Sequence, residues 1–254
     1  MSGLRGVIFD IDGVLTFQGR VYPNAIEVVD ALREKGIVLK FLTNSTLTSR
    51  ASCAEKLRKS GFLVSQDEVI TASYASASYL RSRNPRSCWV MVDREGMDEF
   101  GEFVHDTENP EYIVIGDNRS QFDFDHLNKA LRLLMNGAKL IAMQSELLDT
   151  SMGDIELNVG SWVGMLERAA GIQAISIGKP NPYIFELALQ SMLLDMSEVL
   201  MVGDRISTDV QGANQIGLRS VLIKSGEFDE RDLASGITPT YTLDTIGELL
   251  ELFR

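Results

Sequence analysis

Four times along the chain, a mixed polar and apolar stretch with helical spacing runs into a glycine, and a short, almost wholly apolar run follows. Arg33-Glu34-Lys35-Gly36 precedes Ile37-Val38-Leu39, and Met135-Asn136-Gly137 precedes Lys139-Leu140-Ile141. Ala169-Ala170-Gly171 precedes Ala174-Ile175-Ser176-Ile177, and Gln215-Ile216-Gly217 precedes Ser220-Val221-Leu222-Ile223. Glycine just past a helix adopts the left-handed conformation at little steric cost, so each phrase reads as helix, stop, strand. Further helical stretches are predicted near residues 48–60 and 72–82. Strands that are apolar throughout, rather than alternating, are buried on both faces. Alternation of this kind predicts an α/β fold, a Rossmann-like doubly wound parallel sheet with helices on both sides.

The apolar runs end in polar groups. Val7-Ile8-Phe9 stops at Asp10, followed by Ile11-Asp12-Gly13. Ile37-Val38-Leu39 leads through Phe41-Leu42 into Thr43-Asn44-Ser45, and Leu200-Met201-Val202-Gly203 leads into Asp204-Arg205-Ile206-Ser207-Thr208-Asp209. Carboxylates at the ends of buried strands are costly unless a positive group meets them, and a divalent cation is the natural candidate. In doubly wound sheets, ligands bind beyond the carboxyl ends of the strands, so Asp10, Thr43 and Asp204 are expected in one crevice. Lys179, in Gly178-Lys179-Pro180-Asn181-Pro182, stands just before a helix start with proline suited to its first turn.

These four segments, in this order, resemble the motifs of the haloacid dehalogenase-like phosphohydrolases. The resemblance implies a Mg²⁺-dependent phosphohydrolase acting on small phosphorylated metabolites through an aspartyl-phosphate. Asp10 is the implied nucleophile, and Asp12 the implied acid that protonates the leaving oxygen and then activates water. The implied Mg²⁺ ligands are the carboxylates of Asp10 and Asp204 and the main-chain carbonyl of Asp12. The Thr43 hydroxyl, the Asn44 backbone amide and Lys179 are implied to hold phosphate, with Lys179 also restraining Asp10. Asp209 is implied to orient Lys179 or a metal-bound water. A catalytically idle phosphate- or protein-binding regulator on the same fold, or a phosphotransferase, stays open beside the hydrolase.

Thr43 and Lys179 are separated by more chain than one crossover needs. Residues 84–174 hold enough strands and helices for a small domain of their own, leaving 1–83 and 175–254 as the catalytic core. Asn84-Pro85 marks the exit, because a residue before proline avoids helix. The insert resembles the class II (C2-type) α/β cap of the NagD-like branch, through Ile113-Val114-Ile115-Gly116-Asp117 and Asn136-Gly137-Ala138-Lys139-Leu140-Ile141-Ala142. Leu157-Asn158-Val159-Gly160 and Lys224-Ser225-Gly226-Glu227-Phe228 are similar to the phospholysine phosphohistidine inorganic pyrophosphate phosphatase subgroup. Ala142-Met143-Gln144-Ser145-Glu146 departs from the Thr-Asn-Pro-Asp common in such caps, and Ser161-Trp162-Val163 departs as well. Substitutions at Met143, Gln144 or Trp162 are therefore expected to change substrate ranking. A homodimer joined through the cap is what the resemblance implies.

Composition narrows the remaining classes. A net charge of −12 argues against a nucleic-acid partner, which needs a broad basic footprint. No apolar run approaches the roughly 20 residues that span a bilayer, and no leader-like N-terminal segment is visible, so a cytoplasmic location without membrane contact is expected. Two cysteines give neither a disulfide framework nor a zinc site. His105 and His126 read as surface or turn residues, and Glu227-Phe228-Asp229-Glu230-Arg231-Asp232 as a solvated loop.

Overall fold

The computed structural model describes residues 3–149 and 154–254. Its contacts divide the chain into two compact units: Met1–Thr43, Cys53–Ile70 and Lys179–Arg254 form one, and Asn44–Ser52 with Thr71–Gly178 form the other. Residues 44–52 and 71–83, expected in the core, thus group with the second unit, as do residues 175–178.

The first unit is organised by a six-stranded sheet. Its order is Tyr241–Leu243, Arg219–Ile223, Val199–Gly203, Gly6–Asp10, Val38–Thr43 and Val69–Thr71. Gly6–Asp10 lies near the centre and pairs in parallel with both neighbours. A central strand has no solvent face, which is why Val7, Ile8 and Phe9 are all apolar and all fully buried. One side of the sheet gathers Val7, Phe9, Leu39, Phe41, Leu200 and Val202 with Val28, Val29 and Leu32 of the helix Ala25–Glu34. The amphipathic C-terminal segment Ile246–Phe253 contacts that helix and adds Leu249 to the same core.

The second unit holds its own four-stranded sheet, in the order Ile175–Ser176, Lys139–Ala142, Tyr112–Ile115 and Cys88–Met91, with every neighbouring pair parallel. Trp89, Met91, Ile113, Ile115 and Leu140 pack there against Leu134 of the helix Phe124–Met135 and Val163 and Leu166 of the helix Val159–Ala170.

The predicted helix stops are present. Gly36, Gly137, Gly171 and Gly217 all have φ between +69° and +104°, which residues with a Cβ rarely adopt. The two helices expected near 48–60 and 72–82 run Arg50–Lys59 and Ala72–Arg83. Asn84 caps the second of these in a left-handed conformation, directly before Pro85. No helix among the described residues is long and apolar enough to cross a membrane.

Phe9 and Phe41 stack with ring centroids 6.1 Å apart on adjacent strands that lead to Asp10 and Thr43. Phe41→Ala removes a fully buried ring from that layer and is expected to cost about 3–5 kcal/mol, read by urea unfolding. A loss under about 1 kcal/mol would mean that this pair is not a packing anchor.

Candidate active site

The strand register sets the site. Asp10 pairs with Leu42, so Thr43 lies one residue beyond that pairing. Phe9 pairs with Val202, so Gly203 and Asp204 follow at the same end of the neighbouring strand. All three strands run the same way, which puts their polar termini on one edge of the sheet.

Lys179 enters from the start of the helix Pro182–Met192, whose first turn is set by Pro182 and by Asn181, which accepts from the Tyr183 N–H. Its ammonium donates to Asp10 Oδ1 and to Asp209 Oδ1, both at 2.6 Å. Asp209 reaches this point from a wide helical turn over Ile206–Val210, where both Asp209 and Val210 donate backbone N–H groups to the Arg205 carbonyl. The Asp209 side chain also folds back to accept from the Arg205 N–H at 3.2 Å. It lies so close over Gly203 that any Cβ there would overlap it, which explains a glycine at the last residue of a buried strand.

Asp10, Asp204 and Asp209 each present a carboxylate oxygen within 4.8 Å of the other two, and all three are buried. Lys179 is the ammonium bound to two of them, Asp10 and Asp209, so the cluster gathers three acidic side chains around one ammonium. Asp204 Oδ2 accepts from the Glu227 N–H, whereas Asp204 Oδ1 is buried with no hydrogen-bond partner among the described residues. A buried oxygen without a donor, with two further carboxyl groups within 4.8 Å, fits a divalent cation with oxygen ligands.

Burial pushes the Asp10 carboxyl well up, Asp209 and Asp204 add to the rise, and Lys179 opposes it. Burial and Asp209 push Asp204 up to about 7. Burial alone would lower Lys179, but Asp10 and Asp209 outweigh it and hold the ammonium well above its usual range. Asp12 differs in setting. It reaches solvent, yet the protein crowded around its carboxyl raises it, with Glu227 adding to the rise and Lys179 and the Thr16 hydroxyl opposing.

The residues singled out from the sequence thus separate into groups. Lys179 joins Asp10 and Asp209 directly, Asp204 has a carboxylate oxygen within 4.8 Å of both acids, and Thr43 ends the strand beside Asp10. Asn44, the next residue, belongs to the second unit, where its side-chain amide donates to Glu146 at 3.3 Å. Gln144 is buried and uses both ends of its amide, donating to Asn158 Oδ1 at 2.5 Å and accepting from the Glu146 N–H at 2.7 Å. Met143 is fully buried, and Trp162 stacks on Phe122 at 4.6 Å. Glu227 is not part of a solvated loop: its N–H holds Asp204 and its carboxylate pairs with Arg205 at 3.1 Å. The run that follows is more open, with Asp229 and Arg231 paired near the surface.

A model of haloacid dehalogenase-like hydrolases matches residues 7–104, and a second, HAD-hydrolase-like, matches 176–249. The chain belongs to the haloacid dehalogenase-like hydrolases. Haloacid dehalogenase-like hydrolase domain-containing protein 2 of Rattus norvegicus is 32% identical, over 94% of this chain and 91% of its own length. Phospholysine phosphohistidine inorganic pyrophosphate phosphatase of Bos taurus is 34% identical, over 91% of this chain and 87% of its own. Among solved structures, NagD from E. coli K-12 superposes with a TM-score of 0.89 at 27% identity, covering 97% of this chain and 98% of that one. A p-nitrophenyl phosphatase from Archaeoglobus fulgidus gives 0.92 at 29%, covering 98% and 99%. Within the haloacid dehalogenase-like hydrolases, this chain lies on the NagD-like, phosphatase branch.

A carboxyl whose folded pKa is raised favours the protonated, folded form. Asp204 therefore contributes its full stabilisation below its unfolded value near 3.8, and the contribution fades as pH rises through about 7. A divalent cation bound to this carboxylate would compete with that proton. In EDTA, the urea midpoint should fall between about pH 5 and about pH 8, and added Mg²⁺ should restore more stability at the higher pH. A larger Mg²⁺ gain at the lower pH would overturn the placement of a cation on this cluster.

Proposed function

We propose that this haloacid dehalogenase-like chain is a Mg²⁺-dependent phosphohydrolase of small phosphorylated metabolites, working through an aspartyl-phosphate on Asp10. What carries the reading is the position of Asp10: one carboxylate oxygen is fixed by Lys179 at 2.6 Å, and Asp204 and Asp209 lie within reach of a shared cation. The carboxylates of Asp10 and Asp204 and the main-chain carbonyl of Asp12 would hold Mg²⁺. Bound there, the ion would offset phosphate charge so that one anion can approach another.

Lys179 clamps Oδ1 of Asp10 and leaves the other carboxylate oxygen to attack phosphorus. That oxygen forms the new O–P bond while the bond to the leaving oxygen breaks, and the leaving oxygen takes a proton from Asp12. A raised Asp12 carboxyl carries that proton at higher pH than an ordinary aspartate does. Water then attacks phosphorus, gives its proton back to Asp12 and frees Asp10. The Thr43 hydroxyl and the Asn44 backbone amide are read as donors to phosphate oxygens, and Asp209 as the group that keeps Lys179 in place.

The part of the second unit spanning 84–174 is read as a cap that recognises the rest of the substrate, and as the face through which two copies join. The relatives point to a first panel of substrates: p-nitrophenyl phosphate, phosphoramidates such as phospholysine and phosphohistidine, and pyrophosphate.

Asp10→Asn should abolish phosphate release while leaving the circular dichroism spectrum unchanged, since an amide does not attack phosphorus. Turnover retained in a clean preparation would sink the mechanism. Asp12→Asn should slow turnover by about 10²–10⁴-fold yet keep Mg²⁺ binding in calorimetry. Loss of that binding in Asp12→Asn with retention in Asp204→Asn would show that the ligands are misassigned. Gln144→Ala and Trp162→Ala should reorder the substrate panel more than they shift the Mg²⁺ requirement. A single common factor across all substrates would count against the cap reading.

A further inference from the structure

Asp204 can serve a cation only if its free oxygen is presented and its other oxygen is kept occupied. A short segment far along the chain, Ser225-Gly226-Glu227, does the second task. The Glu227 N–H donates to Asp204 Oδ2 at 2.7 Å. A backbone donor aims correctly only while its segment is pinned, and beside the Glu227–Arg205 ion pair two contacts tie this one to the stretch between Gly13 and Tyr22. The Ser225 hydroxyl donates to the Gly13 carbonyl at 2.7 Å, and the Gly226 N–H donates to the phenolic oxygen of Tyr22 at 2.8 Å. Burial and the nearby Asp204 charge raise the Tyr22 phenol, which keeps its oxygen a neutral hydroxyl.

The fit is tight enough that side chains are excluded. A Cβ on Gly13, at φ +96°, would overlap the Asp204 carboxylate. One on Gly226, at φ +57°, would overlap both Asp204 Oδ2 and the Gly13 backbone. Two backbones thus close on Asp204 Oδ2, while its Oδ1 has no hydrogen-bond partner among the described residues. Tyr22 is itself held: it follows the hairpin of Thr16–Phe17 and Arg20–Val21, its N–H donates to the Leu15 carbonyl, and its ring lies 6.5 Å from that of Phe17.

We propose that Tyr22 is a positioning residue for the Asp204 carboxylate, acting through the Ser225–Gly226–Glu227 strap, so that the loop carrying Asp12 and the loop carrying Asp204 are locked into one cation-ready arrangement. The inference rests on the metal reading above and adds to it a residue outside the family motifs. Tyr22 touches neither the proposed cation nor the phosphate. Its hydroxyl accepts the bond that holds the strap, and the strap holds the ligand. Ser225 is the second anchor of the same device.

Tyr22→Phe keeps the ring and removes only the acceptor oxygen. One such hydrogen bond corresponds to about a three- to tenfold change in an equilibrium constant. Calorimetric titration of the substrate-free protein with MgCl₂ should therefore show Mg²⁺ binding weakened by about that factor in Tyr22→Phe. Ser225→Ala should weaken it similarly. At saturating Mg²⁺, the KM for p-nitrophenyl phosphate should stay within about twofold of the parent, a split that general loosening of the fold would not give. Mg²⁺ binding equal to or tighter than the parent's in Tyr22→Phe would overturn the proposal. If Tyr22→Phe does not fold, unchanged binding in Ser225→Ala overturns it instead. A parent protein that binds no Mg²⁺ overturns the metal reading and this one together, whereas a binding parent with unchanged variants overturns only this one.

Discussion

Lys179 lies between Asp10 and Asp209 with almost no access to water, and the rest of the site depends on that placement. Taking an ammonium and two carboxylates out of water costs several kcal/mol per ion, and only close, well-directed contacts offset it. Two contacts of 2.6 Å provide those, but they do not neutralise the third carboxylate, Asp204. The sheet edge is therefore built in a condition that is stable as a structure and incomplete as a charge set. Burial raises the Asp10 and Asp204 carboxyls, and the neighbouring acidic groups add to that rise.

The charge count changes how phosphate recognition must be understood. With a net charge of −12 overall, an anion-binding pocket is expected to be locally positive. The buried cluster offers no spare positive charge, because Lys179 is already bonded to two carboxyl groups with a third close by. In the proposed reading, a divalent cation would supply the positive charge that a phosphate needs here, and Lys179 would act mainly as a clamp on one oxygen of Asp10.

The gathering of the candidate site was legible in the sequence because its polar residues sit where apolar runs end. Asp10, Thr43 and Asp204 each follow a buried strand, and parallel pairing brings equivalent strand ends together without further information. The helix stops were legible for an equally local reason, the glycines at positive φ. Glu227 was misread as solvated because its run is rich in charge, and nothing local shows that its N–H meets a residue 23 positions earlier. Tyr22 and Ser225 were silent for the same reason, since their partners lie 204 and 212 residues away. The grouping of residues 44–52 and 71–83 with the second unit was equally hidden, because it arises from through-space contacts such as Ser73 donating to the Thr46 carbonyl.

The two kinds of information meet at Gly13. By its sequence neighbours, it is the glycine of an Asp-Gly turn, needed for a positive φ that lets the chain leave the strand. In space, it is also the floor on which the Asp204 carboxylate rests, with no room for a Cβ. A turn preference alone would tolerate asparagine or aspartate there at modest cost. The carboxylate pressed against its α-carbon removes that tolerance. The glycine is thus fixed by the Asp204 carboxylate as well as by the turn, and Gly226 of the strap from Ser225 to Glu227 closes on the same carboxylate oxygen beside it.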